Sequence, residues 1–510
     1  MRLLTAAEQR ELDRHAAELG LATRVLMESA GAAVAREVLA LHPRSVAVCC
    51  GPGNNGGDGF VAARLLREAL GHESVTVVAT AREKLRGDAL AAAQAWLGPL
   101  APQAPQADVV VDAVFGSGLS RAPAGAEAAA ITATNEARSR GARVVAVDVP
   151  SGLDSDTGAV YPVHLARADV TVTLHAPKRG LYLYPGAACA GRIAIAPIGI
   201  PRELEERLES PPCELLDESW GRALFTPRER TAHKNDFGHV LAIAGSPGKS
   251  GAARLVVEAA LRAGAGLVTL AARSDVLEAA LPGVPEAMGL ALPGSGPLGS
   301  ADLEPLREAA KGKTALAIGP GIPRGAETGA LIGDLLASLS PGCASVLDAD
   351  ALNALAEHRD RVAEWLRRAP VRPVVTPHPG EFARLTGEEV ERIESDRVGA
   401  AVRAAQRFGA CVVLKGAHTV VADPEGTAAV CAHGNPGMAT AGAGDVLTGI
   451  AGGVLARRSG AGGIGERARL AVVLHALAGD LAARRTGEAG LLAGDIHRTG
   501  LLRLFRRWRR

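Results

Sequence analysis

The chain has 510 residues, 47% of them hydrophobic, which exceeds the length at which one hydrophobic core keeps growing, so two domains are expected. A formal net charge of +1 and few aromatics (Trp 4, Tyr 3, Phe 7) give no electrostatic or stacking reason to expect nucleic acid or an anionic membrane as partner. Arginine outnumbers lysine 49 to 7 but is spread along the chain, as genome composition would place it.

The amino-terminal MRLLTAAEQRELDRHAAELG carries acids in its first turns and no long apolar core, so neither a signal nor a transit peptide is expected. No uninterrupted apolar stretch is long enough to span a bilayer. Seven cysteines without CxxC spacing fit a reduced cytoplasm. Short apolar runs then alternate with Ala-rich helical stretches: SVAVCC at 45, SVTVVAT at 74, ADVVVDAVFG at 107, ARVVAVDVP at 142, ADVTVTL at 168 and RIAIAPIGI at 192. That alternation is the pattern of buried parallel strands joined by crossover helices. The segment 201–224, PRELEERLESPPCELLDESWGRAL, is charged, carries Pro-Pro and lacks a strand pattern, so it is expected to be a linker. The rhythm restarts with GHVLAIAGSPGKSGAARL at 238, GLVTLAAR at 266, TALAIGPG at 314, SVLDADAL at 345, RPVVTPHPGE at 372 and CVVLKGAHTVVADPEG at 411, and finishes in helices after Asp445. The last residues, RLFRRWRR from Arg503, are expected to form a frayed, solvated terminus.

In open sheets of this class ligands sit beyond the carboxyl ends of the strands, where the polar motifs fall in both halves. The first half offers GPGNNGGDG at 51–59, DAVFGSGLSR at 112, DVPSGLD at 148 and the less distinctive HAPKRG at 175. Glycine lets a backbone approach a ligand closely, and the first N–H groups of a following helix attract phosphate oxygens. An acid in such a loop, Asp58, calls for a sugar hydroxyl, a cation or a proton in transit. Asn55, Asp112 and Ser151 supply oxygens without His or Cys at zinc spacing, a set that suits a hard cation or a ribose diphosphate. Taken singly, Asp112 and Asp148 are also ordinary helix-capping acids. In the second half NPGMATAGAGDVLTG, 435–449, opens a helix whose N–H groups can hold transferring phosphate oxygens while Asp445 faces an attacking hydroxyl. KGAHT at 415–419 ends a strand with a lysine able to reach phosphate, and HPGE at 378–381 supplies His378 and Glu381 before another helix.

In this combination the first half, 1–215, resembles the YjeF N-terminal domain, a family that epimerises hydrated NADH and NADPH. The resemblance implies a Rossmann-like αβα sandwich in which the nucleotide is held by Asn54, Asn55, Gly56, Gly57 and Asp58 and by Gly116, Ser117, Gly118, Leu119, Ser120, Arg121 and Ala122. It also implies a potassium ion bound through Asn55, Asp112 and Ser151, with Asp148 as the catalytic, substrate-contacting carboxylate. The second half, 225–510, resembles the ribokinase-like YjeF C-terminal domain, the NAD(P)H-hydrate dehydratase, with SGA at 250–252, GPG at 319–321, TPHPGE, KGAHT and the GxGD loop in order.

That second resemblance implies substrate contacts at Ala252, Gly321, His378 and the catalytic Asp445, and an adenine nucleotide at Lys415, Gly416, Ala417, His418, Thr419 and Gly444, with ADP as co-substrate and magnesium beside it. The family loop is commonly GGTGD; here Ala441 and Ala443 stand in place of its Gly and Thr. Together the two resemblances imply an α/β chain of two domains that epimerises the R and S hydrates and dehydrates the S form at the expense of ADP. The route is phosphorylation of the hydrate hydroxyl and elimination. The implied partners are NADHX, NADPHX and ADP, with no nucleic acid and no membrane, and the implied setting is a cytoplasmic homo-oligomer, a tetramer or larger. A kinase for a small alcohol would share the GxGD base but has no use for NNGGD, DAVFGSG and DVPSG, and a YjeF-type binding module would not require every catalytic position intact.

Overall fold

A computed structural model describes residues 1–458 and 462–509, and the chain divides into two compact units, Met1–Cys213 and Glu214–Arg510. In the first unit the six apolar runs become strands β1 (Val46–Cys50), β2 (Val75–Ala79), β3 (Val109–Ala113), β4 (Arg143–Val147), β5 (Val170–Leu174) and β6 (Arg192–Ala196). They form one parallel sheet in the order β2-β1-β3-β4-β5-β6. β1 and β3 are buried along their whole length, which is why they read as unbroken Val and Ala runs and not as alternation. Helices α2 (Thr23–Leu39) and α3 (Asn54–Leu70) cover one face, packing Met27, Val34, Phe60 and Leu66 on Val48, Val77 and Val111. Each such side chain buried in full contributes about 1.5–3 kcal/mol. Helix α1 (Ala6–Glu18) is started by a capping box, in which the Thr5 hydroxyl accepts the Glu8 N–H at 3.2 Å and the Glu8 carboxylate accepts the Thr5 N–H at 2.8 Å. Because β1 lies between β2 and β3, the strand order reverses there, and the crevice at their carboxyl ends is the switch point where this architecture places a ligand.

The second unit is built on a ten-stranded sheet: β7 (Cys213–Leu216), β8 (His239–Ile243), β9 (Leu267–Ala272), β10 (Met288–Ala291), β11 (Ala315–Ile318), β12 (Ala344–Leu347), β13 (Val374–Val375), β14 (Cys411–Leu414), β15 (Thr419–Ala422) and β16 (Ala428–Cys431). The order is β10-β9-β8-β11-β12-β13-β14-β15-β16-β7, parallel from β10 to β14 and antiparallel through the β14–β15–β16 meander. The helix Ala443–Ala456 forms the centre of the core, where Val446, Ile450 and Val454 pack with Val256, Ala259 and Ala260 of the helix Ser250–Arg262. No helix among the described residues is long and apolar enough to cross a membrane.

Two expectations fail. The segment 201–224 is not a featureless linker: it holds the 3-10 turn Arg202–Arg207, the edge strand β7 beside β16 and the helix Glu218–Leu224. Leu215 and Leu216 are buried, Trp220 and Leu224 pack on the core, and a Cβ at Gly221 would lie 2.7 Å from Val473, so the charged residues around them hid a tightly docked element. The Arg-rich end is not frayed either. Leu502–Trp508 is a helix with Leu504 0% and Trp508 5% exposed, Phe505 stacks on Phe225 at 4.9 Å, and Trp508 Nε1 donates to Glu218 at 3.1 Å. Arg510 lies outside the described residues.

A fragment 214–510 is therefore expected to melt about 10 °C or more above a fragment 225–510, which lacks the whole of β7 and of the helix Glu218–Leu224. Equal melting temperatures in a thermal scan would show that this segment does not stabilise the second unit.

Candidate functional site

In the first unit the acids fall at the ends of β3 and β4. Asp112, 0% exposed, accepts the Ser151 N–H at 2.8 Å on one oxygen and the Ser151 hydroxyl at 2.6 Å on the other, while the Phe115 N–H donates to Ser151 Oγ at 2.8 Å. DVPSG and DAVFG are thereby tied together, and Asp112 caps no helix. Burial raises its pKa, opposed by the bonds from Ser151, and no cationic side chain among the described residues pairs with it. A buried carboxylate without counter-charge is costly, and a bound cation removes that cost. Asn55, on the first turn of α3, reaches the DAVFG loop beside Asp148: a Cβ on Gly116 would lie 2.9 Å from Asn55 Oδ1 and 3.3 Å from Asp148 Oδ2, so only glycine admits both. Asn55 Nδ2 is buried without a partner. Carboxylate, amide and hydroxyl oxygens of this kind fit a large monovalent ion such as potassium, and the described residues contain no group of three His, Cys, Asp or Glu for a transition metal.

Asp148 follows β4 directly at φ +66°, a left-handed backbone that costs an aspartate about 1 kcal/mol and turns its carboxylate into the crevice. One oxygen meets Lys178 Nζ at 2.6 Å and the other accepts the Ser117 N–H at 3.1 Å. Lys178 is 0% exposed and also donates to the Leu174 carbonyl at 2.8 Å. Asp58 is 6% exposed, and burial, followed by the charges of Asp148 and Asp13, holds its carboxyl well above the usual range. No side chain caps the first turn of α3, so the N–H groups of Asn54, Asn55 and Gly56 remain available to a ligand, while that of Gly57 donates to the Gly53 carbonyl at 3.2 Å. Gly118, Ser120, Arg121 and Ala122 lie on an exposed loop, with Leu119 partly covered. A cavity lined by Ser45, Asp108, Arg140 and Ala142 opens at the opposite, amino ends of the strands and contains none of these groups.

In the second unit Asp445 is the third residue of the helix Ala443–Ala456, which starts from Gly442 at φ +89° with no side-chain cap. Burial foremost, and then the charge of Asp348, raise the Asp445 pKa to about 6, against the pull of Lys415. Lys415 Nζ sits 2.6 Å from Asp348 and 3.8 Å from Glu381, and 3.4 Å from where a Cβ of Gly444 would be, so the ammonium lies against the helix start. Asp348, 1% exposed at the end of β12, also accepts the Thr448 hydroxyl at 2.6 Å. His475 Nε2 lies 2.9 Å from the Ala443 carbonyl; burial lowers this ring to about 4, so it donates as a neutral imidazole. Ala443 is itself 6% exposed, and its methyl packs into the core where the family commonly has Thr.

Arg397 braces the start of the KGAHT loop, donating to the Leu414 and Lys415 carbonyls at 3.1 Å each. Gly416 and Ala417 are exposed beyond it, with His418 at φ +58° and Thr419 half-buried. His378 Nδ1 accepts the Gly380 N–H at 3.1 Å and so caps the helix Pro379–Thr386, leaving about half of the ring exposed. Gly321 lies at φ +70° beside Ala252, a Cβ there falling 3.3 Å from that of Ala252. The structure thus joins Lys415, Gly444 and Asp445 directly and His378 through Glu381. Reading the sequence alone had not singled out Lys178, Asp348, Thr448 or Arg397.

Residues 23–180 match the family described as YjeF-related protein N-terminus, and residues 240–500 match the NAD(P)H-hydrate dehydratase family. The bifunctional NAD(P)H-hydrate repair enzyme of Moorella thermoacetica is 41% identical over 97% of this chain and 95% of its own length. The chain belongs to that family. The bifunctional NAD(P)H-hydrate repair enzyme of Thermofilum pendens is 40% identical over 96% and 94% of the two chains. A ribokinase-like superfamily protein of Enterococcus faecalis, 25% identical, covers 58% of this chain and 96% of its own with a TM-score of 0.50, in line with a ribokinase-like second unit.

Within this member of the bifunctional NAD(P)H-hydrate repair family, Asp348 is the charge that does most, after burial, to raise the proton affinity of Asp445. Asp348→Asn is expected to move the Asp445 titration down by about one unit, read from its carboxyl carbon NMR shift. An unmoved titration would remove Asp348 from the account.

Proposed function

We propose that the first unit interconverts the R and S epimers of hydrated NADH and NADPH, and that the second dehydrates the S form at the expense of ADP. The observation that carries this reading is an acid-centred crevice at the carboxyl ends of the strands in each unit of a chain matched to the bifunctional repair enzymes along nearly its whole length. In the first unit the loops Asn54–Asp58 and Gly116–Ala122 embrace the dinucleotide, and Asp148 faces the hydroxylated carbon of the reduced nicotinamide ring. Asn55, Asp112 and Ser151 would hold potassium, which would neutralise Asp112 and so fix the loops around the nucleotide.

In the second unit the hydrate lies against Ala252, Gly321 and His378, and ADP against Lys415–Thr419 and Gly444. Asp445 takes the proton of the hydrate hydroxyl as its oxygen attacks the terminal phosphoryl group, and AMP leaves. The Lys415 ammonium and the open N–H groups of Gly442 and Gly444 stabilise the charge that spreads onto the phosphoryl oxygens. Elimination of phosphate with the neighbouring ring proton then restores the double bond. Magnesium would accompany the nucleotide, with Glu381, 5% exposed and 3.8 Å from Lys415, as its protein carboxylate, and would shield phosphate charge. All seven cysteines are free and buried, which supports a reducing cytoplasm as the setting, and a homo-oligomer is the assembly expected of the family.

Asp445→Asn keeps the loop but lacks the base, so dehydration is expected to fall by about two to four orders of magnitude with epimerisation unchanged. A rate within about tenfold of the parent would reject Asp445 as base. The parent rate should rise with pH through about 6, because the ionised carboxyl is the active form.

The cation is tested separately. Thermal stability of the first unit and the epimerisation rate should both be higher in potassium chloride than in tetramethylammonium chloride, and Asp112→Asn should abolish the difference. Equal values in both salts for the parent would leave Asp112 as a purely structural acid.

A further inference from the structure

The roles given above leave one buried carboxyl of the first unit without a task in the chemistry. Asp58 is 6% exposed on α3, and among the described residues no hydrogen-bond donor reaches its carboxyl. Asp148 from the end of β4 and Asp13 from α1 face it, with Lys178 as the cation in range and the Cys50 thiol as a further titratable neighbour. That cation is already engaged, since Lys178 Nζ lies 2.6 Å from Asp148 and 2.8 Å from the Leu174 carbonyl. Asp13 takes a hydrogen bond from Gln9 at 3.0 Å and faces His175 as well. Three carboxyls around one buried ammonium cannot all be ionised, and the group with neither donor nor cation is the one that keeps its proton. Burial and the Asp148 charge act in that direction on Asp58. Asp148, held by the ammonium and the Ser117 N–H, is the carboxylate of the set.

We propose that Asp58 is the proton donor of the epimerisation and Asp148 the carboxylate that works with it; this rests on the epimerase reading of the first unit. Water added to a dihydronicotinamide ring sits on the carbon next to the ring nitrogen, whose lone pair can expel it. Asp58 gives its proton to that hydroxyl, the C–O bond breaks with its electron pair on oxygen, and water leaves as the nitrogen lone pair closes a C=N bond. The Asp148 charge stabilises the resulting cation. Water then attacks the other face of the same carbon, the C=N pair returns to nitrogen, and the released proton goes to Asp148. Proton transfer from Asp148 back to Asp58 restores the starting state, so no oxidant, reductant or nucleotide is consumed. A buried carboxyl without a donor beside one held by an ammonium is a pairing that divides acid from base.

The test uses the full-length chain, a single purified epimer and no ADP, with interconversion followed by chromatography across pH. The parent should lose activity at high pH as Asp58 ionises, and its infrared spectrum should contain a protonated-carboxyl C=O band. Asp58→Asn, of the same shape, should lower kcat by about a hundredfold or more with little change in KM, remove the alkaline limb and delete the band. Asp58→Ser provides the same comparison should the asparagine variant misfold, and an unchanged thermal unfolding transition of the first unit checks the fold of either. A raised KM with kcat kept, an alkaline limb that persists, or no band lost would overturn the proposal and leave Asp58 as a binding contact. A parent that does not interconvert the epimers overturns the epimerase reading and this proposal together.

Discussion

A carboxylate at the carboxyl end of a buried parallel strand has no water to hold its charge, and both crevices of this protein are organised by how that charge is met. Asp112 receives the N–H and the hydroxyl of Ser151, Asp148 receives Lys178 and the Ser117 N–H, and Asp348 receives Lys415 and the Thr448 hydroxyl. Each partner belongs to a loop or helix after a different strand. Satisfying the acid therefore draws separate segments into one place, and the ligand-binding loops inherit their positions from it. Breaking one of the buried ion pairs from a single side costs about 3–5 kcal/mol, which makes these contacts determinants of shape as well as of chemistry.

The two units turn the same constraint to different uses. In the first, acids outnumber the available cation and burial favours the protonated form of Asp58 and Asp13, while the proposed acid–base work at one ring carbon needs no nucleotide. In the second, Lys415 sits on Asp348 at an uncapped helix start, a mixture of positive charge and N–H donors that a phosphoryl group can occupy, and the Asp445 carboxyl, raised to about 6, is the base of the proposed reaction. Epimerisation then feeds dehydration, since the second crevice takes one epimer and the first regenerates it from the other.

The central strands were legible because strands buried on both faces leave continuous Val, Ile and Ala runs, and the switch-point loops were legible because their glycines and acids stand immediately after those runs. The peripheral strands were not. β10 is largely exposed at the sheet edge, β16 is AAVC with no marked pattern, and β7 is four residues among charges. The arginines of the last helix masked Leu504 and Trp508, whose four-residue spacing puts them on one buried face. In the sites, the rule that found Asp112 and Asp148, an acid closing a buried strand, applies equally to Asp348 in SVLDADAL. Lys178 and Arg397 gave no such signal, because a buried cation looks like surface charge until the carboxylate or carbonyls that hold it are brought near in space.

The central claim is that two crevices on one chain act in series on one substrate. Its most direct test is to incubate the full-length protein with an equal mixture of the two hydrate epimers and follow the return of dihydronicotinamide absorbance with and without ADP. Recovery of the whole mixture with ADP, and epimer exchange without recovery in its absence, is the predicted result. Recovery that halts once the S form is exhausted, or that proceeds without any nucleotide, would contradict the account.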